Sequence, residues 1–458
     1  MEDNKKNISR RDFMKVAGAG ALAVGAAACA PKSKGTAITA SAHQTGDGEM
    51  EYRINPKNGD RISLLGYGCM RWQMKRDEST GRQVIDQDSV NALVARAMEG
   101  GVNYYDTSPA YLQGQSEKAA GIALSRYPRN SYYIATKLSN FNNATPQASQ
   151  QMYRDSFDQL QTDYFDYYLM HAIGSGGYAA FSQRYVDNGM MEFLMKEREA
   201  GRIRNMGFSF HGTQAEFDEL IKTNDQYHWD FIQIEMNYID WRHANASNTN
   251  AEYLYEQLDK LEIPITVMEP LLGGRLSTVP ENVARRFKER DPDASIPSWA
   301  FRFVGSHPRV ITTLSGMVYM EHLEDNLKTF RGFHPMTDEE LEFMNDQATL
   351  YSEFPMINCT GCKYCMPCPY GINIPEIFAY YNKCVTEEKY PQSQEQEGYK
   401  KLRREYLRNY DKAIPTVRQA DHCIACRQCM EHCPQSIQIP NELQRIDHYI
   451  ESLKQNTL

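Results

Sequence analysis

Positive charge is scarce in this 458-residue chain. Lysine and arginine total 50 against 59 aspartates and glutamates, a formal net charge of −9. No basic stripe is present, so the electrostatic footprint of a nucleic-acid binder is missing. The 11 histidines are scattered singly rather than clustered. Beyond the N-terminus no apolar run is long enough to span a bilayer. No G-x-G-x-x-G follows the first predicted strand, where Gly66-Tyr67-Gly68 stands instead. That removes the main signature of a doubly wound dinucleotide fold. No flavin motif is evident. The length is that of two or three domains, with ample chain for a sizeable core.

Cysteine, by contrast, is concentrated. Eight of 11 fall in two runs: Cys359, Cys362, Cys365, Cys368 before Pro369, and Cys423, Cys426, Cys429, Cys433 before Pro434. Two-residue gaps put three thiolates on one tight loop, which suits three corners of a cubic iron–sulfur cluster. A fourth Cys before Pro is the bacterial ferredoxin pattern, and in two-cluster ferredoxins it ligates the other cluster. The second run has the usual spacing; the first has two residues where three are usual before its last Cys. Zinc usually takes its four ligands as two separated pairs, and neither zinc nor disulfides explain two runs ending in Cys-Pro. The expectation is two [4Fe–4S] clusters on all eight cysteines. One would take Cys359, Cys362, Cys365 and Cys433, the other Cys423, Cys426, Cys429 and Cys368. Similar tails follow the runs, Gly371-Ile372-Asn373-Ile374-Pro375 and Ser436-Ile437-Gln438-Ile439-Pro440, as a pseudo-twofold core would show. Between the runs, Gln392–Tyr410 reads as a charged, solvated helical insert. Of the cysteines left over, Cys69 reads as a small packing residue.

The N-terminus reads as a targeting segment. Ser9-Arg10-Arg11-Asp12-Phe13-Met14-Lys15 resembles a twin-arginine export signal. Val16 to Ala28 is apolar but too short for a stable span. Cys29 after Ala26-Ala27-Ala28 resembles a lipoprotein cleavage site; simple cleavage after A-x-A is the alternative. The expected product is periplasmic, or a lipoprotein anchored to the membrane through Cys29. The twin-arginine route carries folded proteins, so clusters can be inserted before export. The expected divisions are 1–29 signal, 30–50 flexible linker, 51–335 barrel and 336–458 ferredoxin-type domain.

From about residue 51 strands and helices alternate. Candidate strands are Ile62–Cys69, Val102–Asp106, Tyr132–Thr136, Phe165–His171, Ile203–Phe210, Phe231–Asn237, Ile265–Glu269 and Val310–Ser315. Amphipathic helical stretches separate them. Eight such units predict an α/β fold, a parallel (β/α)8 TIM barrel with its site at the C-terminal strand ends, followed by a small ferredoxin-like α+β domain. Asp106, Tyr111, Lys137 and His171 stand at or just beyond the ends of the second to fourth strands. They read as an acid-catalysis set. A Tyr phenol, with a pKa of about 10, is a poor acid at neutral pH. A nearby Lys ammonium lowers that value, Asp holds the Lys, and His hydrogen-bonds a carbonyl. Two long loops, Gly174–Met190 and Asp240–Asn250, are expected to wall the pocket.

These residues carry a family resemblance. Asp106-Thr107-Ser108-Pro109-Ala110-Tyr111 with Gly114 and Ser116-Glu117, then Ala135-Thr136-Lys137 and Leu169-Met170-His171, resemble the aldo/keto reductase signature. The resemblance covers roughly 55–332. It implies NAD(P)H-dependent carbonyl reduction, with Tyr111 as general acid, Lys137 and Asp106 tuning it, and His171 orienting the carbonyl. It also implies cofactor contacts at Ser209, Gln233 and Asn326. Gly273, in the Gly-rich loop after the seventh strand, sits where barrels often bind phosphate. Several positions depart from the family pattern: Phe210 replaces Asn, Met268 an aromatic ring, Gly316 a Lys and His322 an Arg. Loss of those cations weakens recognition of a 2′-phosphate.

The resulting expectation is an exported iron–sulfur oxidoreductase, aldo/keto reductase-like. It interconverts a carbonyl and an alcohol with a nicotinamide cofactor, NAD(P)H, a sugar being one candidate substrate, and passes electrons through its clusters to or from an unidentified partner. Two other readings stay open: a redox-inactive barrel serving as a ligand-binding or electron-transfer protein, and a cofactor-free lyase or epimerase using the Tyr/Lys pair.

Overall fold

The computed structural model describes residues 48–458 except 175, 246 and 247. The twin-arginine motif, the apolar stretch and Cys29 lie outside the described residues. Eight strands close into a parallel barrel: β1 (Leu65–Gly68), β2 (Tyr104–Asp106), β3 (Tyr133–Leu138), β4 (Phe165–Gly174), β5 (Ile203–His211), β6 (Phe231–Glu235), β7 (Ile265–Met268) and β8 (Val310–Ser315). Each pairs with its neighbours in sequence, and β8 closes on β1. All eight predicted strands are present. The first splits: Arg61–Ser63 pairs antiparallel with Tyr52–Ile54, and β1 follows. Through Ile62 this hairpin joins the inner core with Tyr104, Ala135, Tyr167, Leu169 and Phe231.

Strand periodicity places the site. Successive side chains alternate between faces. Inward Tyr104 therefore brings Asp106 inward, Ala135 brings Lys137, and Leu169 brings His171. Likewise Phe231 brings Gln233 and then Glu235. Outward Tyr105, Ile134, Tyr168 and Ile232 pack in the shell beneath the helices. The Gly174–Met190 segment is helical rather than an open loop, with Gly177–Phe181 followed by a π turn at Ser182–Val186. Its anchor is buried Tyr185, whose hydroxyl accepts from the His171 N–H (3.1 Å) and donates to the Leu138 carbonyl (3.0 Å).

The barrel extends past residue 335. Helix Asp338–Ser352 starts at a Thr337/Glu340 capping box and buries Met344, Ala348 and Tyr351 in the barrel's core. A second core begins at Ile357. It is built on helices Ile374–Thr386, Tyr399–Ala413 and Ile439–Gln455. Among the described residues no strand follows Ser315, so helices and loops alone form the tail that was expected to be α+β. The insert also differs from expectation. Its charges dominate the composition, but Tyr399, Tyr406 and Tyr410 form one buried stripe against the tail core. Among the described residues no helix is long and apolar enough to cross a membrane.

The internal repeat is structural. Each run leads into a helix with proline in its first turn, Pro375 and Pro440, where the missing N–H costs nothing. Left-handed residues flank the second Cys of both runs: Gly361 and Lys363 (φ 66° and 67°), Ala425 and Arg427 (57° and 64°). Such residues curl the backbone so that consecutive thiols face one centre.

Candidate active site

The four predicted catalytic side chains meet inside the barrel mouth. Lys137 Nζ lies 2.5 Å from Asp106 Oδ1 and donates to the Thr107 carbonyl at 2.9 Å. Both side chains are buried. Burial pushes the Asp106 carboxyl up and the Lys137 ammonium down, and each opposes that on the other. Lys137 Nζ also lies 5.0 Å from the centre of the Tyr111 ring. The Tyr111 and His171 rings meet edge-on, 5.8 Å apart. His171 Nδ1 is held by the hydroxyls of Ser139 (2.6 Å) and Ser108 (3.2 Å). Burial and then Lys137 lower the His171 pKa well below the usual imidazole range. The ring is therefore neutral at physiological pH.

One electrostatic expectation is overturned. The Tyr111 phenol is raised well above its ordinary value, first by burial and then by Asp106. Burial and Asp106 outweigh the nearby Lys137 ammonium, which is itself paired to Asp106. Tyr111 is accordingly a fully protonated donor.

The tail sits on this mouth, which sequence reasoning missed. Tyr364, between Cys362 and Cys365, packs its ring against His171 (6.3 Å) and Phe141 (6.1 Å). Thr360 is buried against Gly273, and Arg71 Nη2 donates to the Thr360 carbonyl at 2.5 Å. Arg275 donates to Asn358 Oδ1 and to the Tyr351 hydroxyl, both at 3.1 Å. From the second run, Gln435 Nε2 donates to both Glu235 oxygens at 3.0 and 2.8 Å. Glu235 belongs to an acid group with buried Asp240 and half-buried Glu269. Burial and then Glu269 move it up to about 7; burial and then Glu235 raise Asp240 well above its usual range. His211 Nδ1 is 3.5 Å from Glu235 Oε2. The inward period through Phe231 and Gln233 was the available signal for Glu235.

The cysteines gather as two crossed quartets. Burial and neighbouring thiols raise Cys359, Cys362 and Cys365, with Cys433 among the neighbours of each. A pocket is lined by Cys423, Cys426, Cys429 and Cys368, with Ile372, Ile374 and Leu443. Among the described residues no three His, Cys, Asp or Glu side chains are disposed to hold a single metal ion. Four thiols around an apolar-walled space fit the larger cubic cluster instead.

The predicted cofactor contacts have other partners. Ser209 Oγ accepts from the Ala172 N–H (2.8 Å), Gln233 Nε2 donates to Asp106 Oδ2 (3.3 Å), and Asn326 Nδ2 donates to Ser315 Oγ (2.9 Å). All three are buried. The Gly273 N–H donates to the Glu269 carboxylate, and its open face is filled by Thr360. A dinucleotide laid along that loop does not fit beside the seated tail.

A parallel barrel with a Tyr–Lys–Asp–His set at its strand ends defines a TIM-barrel oxidoreductase. Residues 64–346, more than half the chain, match the aldo/keto reductase family, and the chain belongs to that family. Residues 358–438 match the 4Fe-4S dicluster domain. An aldo-keto reductase of Mycolicibacterium smegmatis is 36% identical over 280 residues, 59% of this chain and 87% of the relative. The uncharacterized oxidoreductase YqkF of Bacillus subtilis is 22% identical, covering 61% and 91%. A 28% match to L-galactose dehydrogenase of Arabidopsis thaliana covers 35% of this chain and about half (49%) of that enzyme. Among solved structures, an aldo/keto reductase from Klebsiella pneumoniae in complex with NADPH aligns with a TM-score of 0.51 at 19% identity, covering 66% and 95% of the two chains. At that identity the likeness is one of fold.

Proposed function

We propose that this chain is an exported oxidoreductase that interconverts a carbonyl and an alcohol at Tyr111 and exchanges the electrons through two [4Fe–4S] clusters. The observation that carries this reading is Tyr364: a residue between two cluster cysteines packs on the active-site His171. In the reducing direction His171, neutral, orients the carbonyl oxygen. Tyr111 gives that oxygen its proton, and the phenolate left behind is stabilised by Lys137, 5.0 Å from its ring. Asp106 keeps Lys137 in place. A second proton and two electrons complete the alcohol. Cys359, Cys362, Cys365 and Cys433 would hold one [4Fe–4S] cluster and Cys423, Cys426, Cys429 and Cys368 the other, and each would supply one electron. The partial likeness to L-galactose dehydrogenase makes a sugar one candidate substrate. Tyr370 and Ile424, exposed by 47% and 60% at the pocket of the outer quartet, suit the docking of a one-electron carrier. The Arg10-Arg11 motif and Cys29 support export and a lipid anchor.

The test is anaerobic turnover of aldoses and ketoses by the cluster-loaded chain, reduced beforehand and followed by cluster absorbance. Reoxidation coupled to alcohol formation, lost in Tyr111→Phe, is the expected result. Turnover indifferent to cluster oxidation state would instead establish a lyase or epimerase, and no turnover a binding protein.

A further inference from the structure

We infer that the first cysteine loop stands where a dinucleotide would lie, so that this barrel works without bound NAD(P)H. Barrels commonly seat phosphate against the loops after their last two strands. Here the Gly273 loop is already occupied. A Cβ on Gly273 would lie 2.5 Å from Thr360 Cα and 2.6 Å from its carbonyl oxygen, so no space remains on that face. The Gly273 N–H, the donor a phosphate oxygen would need, is taken by the Glu269 carboxylate.

Charge points the same way. Glu269, Glu235 and Asp240 line this side of the mouth, each within electrostatic reach of another. Any of these acids that is ionised repels a diphosphate at short range, and those that burial holds protonated supply no positive charge to balance it. The nearby cations hold the tail rather than an anion. Arg71, which passes 3.3 Å from the Cβ position of Gly316, ends on the Thr360 carbonyl. Arg275 ends on Asn358 and Tyr351. The positions expected to bind a 2′-phosphate carry Gly316 and His322.

The same contacts tie occupancy to cluster assembly. Cys359 and Cys362 flank Thr360, and Cys433 lies two residues from Gln435, which grips Glu235. A cluster held by Cys359, Cys362 and Cys433 would fasten both contact points to the mouth at once. The inference stands apart from the reaction assigned to Tyr111: failure of that reading appears as absent turnover, failure of this one as dinucleotide binding.

Calorimetry of the cluster-loaded full chain with NADH and NADPH, under anaerobic conditions, decides between them. No saturable binding below about 1 mM is expected for either nucleotide; saturable binding below that overturns the inference. Hydrogen exchange across residues 357–366 tests the seating directly. Gly273→Ala and Arg71→Gln are both used, so that one folding failure leaves the measurement intact, and iron is counted in each. Exchange about tenfold faster than in the parent is expected in a folded, cluster-loaded variant. Unchanged exchange in such a variant overturns the inference.

Discussion

The two cysteine loops share a backbone and differ in what they face. Thr360 in the first is 4% exposed; its counterpart Ile424 in the second is 60% exposed. Tyr364 lies against His171, whereas the matching Gln428 is exposed to solvent. Left-handed residues flank the middle Cys of both. A repeated motif has thus been given two tasks by its surroundings alone: one copy meets the barrel, the other meets water. In the reaction proposed above, electrons from the solvent side would pass through the second quartet and then the first.

The largest expected effect breaks that distinction at its ligands. Cys433→Ser removes a thiol from the inner quartet although it lies in the outer run, so EPR of the reduced protein should show the inner cluster lost or altered. Cys368→Ser should do the same to the outer one. If each substitution disturbs only the cluster of its own run, the crossed arrangement is wrong.

Next comes the barrel side. Tyr111→Phe should lower turnover by about 10²- to 10⁴-fold, the range for a lost acid–base group, with both cluster spectra unchanged. A change in those spectra would mean that Tyr111 supports the tail rather than the chemistry.

A pH effect of about 3 kcal/mol separates barrel from tail stability. Glu117 is buried, accepts from the Thr136 hydroxyl at 2.5 Å, and is moved by burial from 4.5 up to about 7. The folded barrel therefore binds a proton that the unfolded chain releases above pH 4.5. The stabilisation this provides is full below 4.5 and is lost as pH rises to about 7, at 1.36 kcal/mol for each pH unit. Glu117→Gln should flatten that part of the stability–pH curve; an unchanged slope would assign it to other groups.

The smallest effect concerns the outer face. Ile424→Gln should change stability by no more than about 0.5 kcal/mol, as exposed substitutions do, while slowing electron exchange with a protein carrier. A large loss of stability would show Ile424 to be part of the tail's packing.

Much of this architecture was legible. Eight apolar runs with intervening amphipathic stretches specify a parallel barrel, because each feature is local and repeated. Asp106, Lys137 and His171 follow from the same pattern, two residues beyond Tyr104, Ala135 and Leu169. The cysteine spacing announces its chemistry. What stayed hidden depends on distant contacts. Nothing in the string around Gly273 points to Thr360, 87 residues away, and nothing around Glu235 points to Gln435. The direction of the Tyr111 shift was missed for the same reason: burial by distant parts of the chain, and then Asp106, outweigh the Lys beside it. The tail's tyrosine stripe was masked by the many charged residues between Tyr399 and Tyr410.

The late end of the barrel also has a consequence for competition. Helix Asp338–Ser352 belongs to the barrel, so the tail hangs from the short stretch 353–358, whose reach is about 20 Å. On so short a tether a detached cysteine loop stays at an effective concentration in the millimolar range. A dissolved nucleotide would have to outcompete a rival that never leaves the neighbourhood, and dilution, which weakens any free ligand, leaves the tethered one untouched.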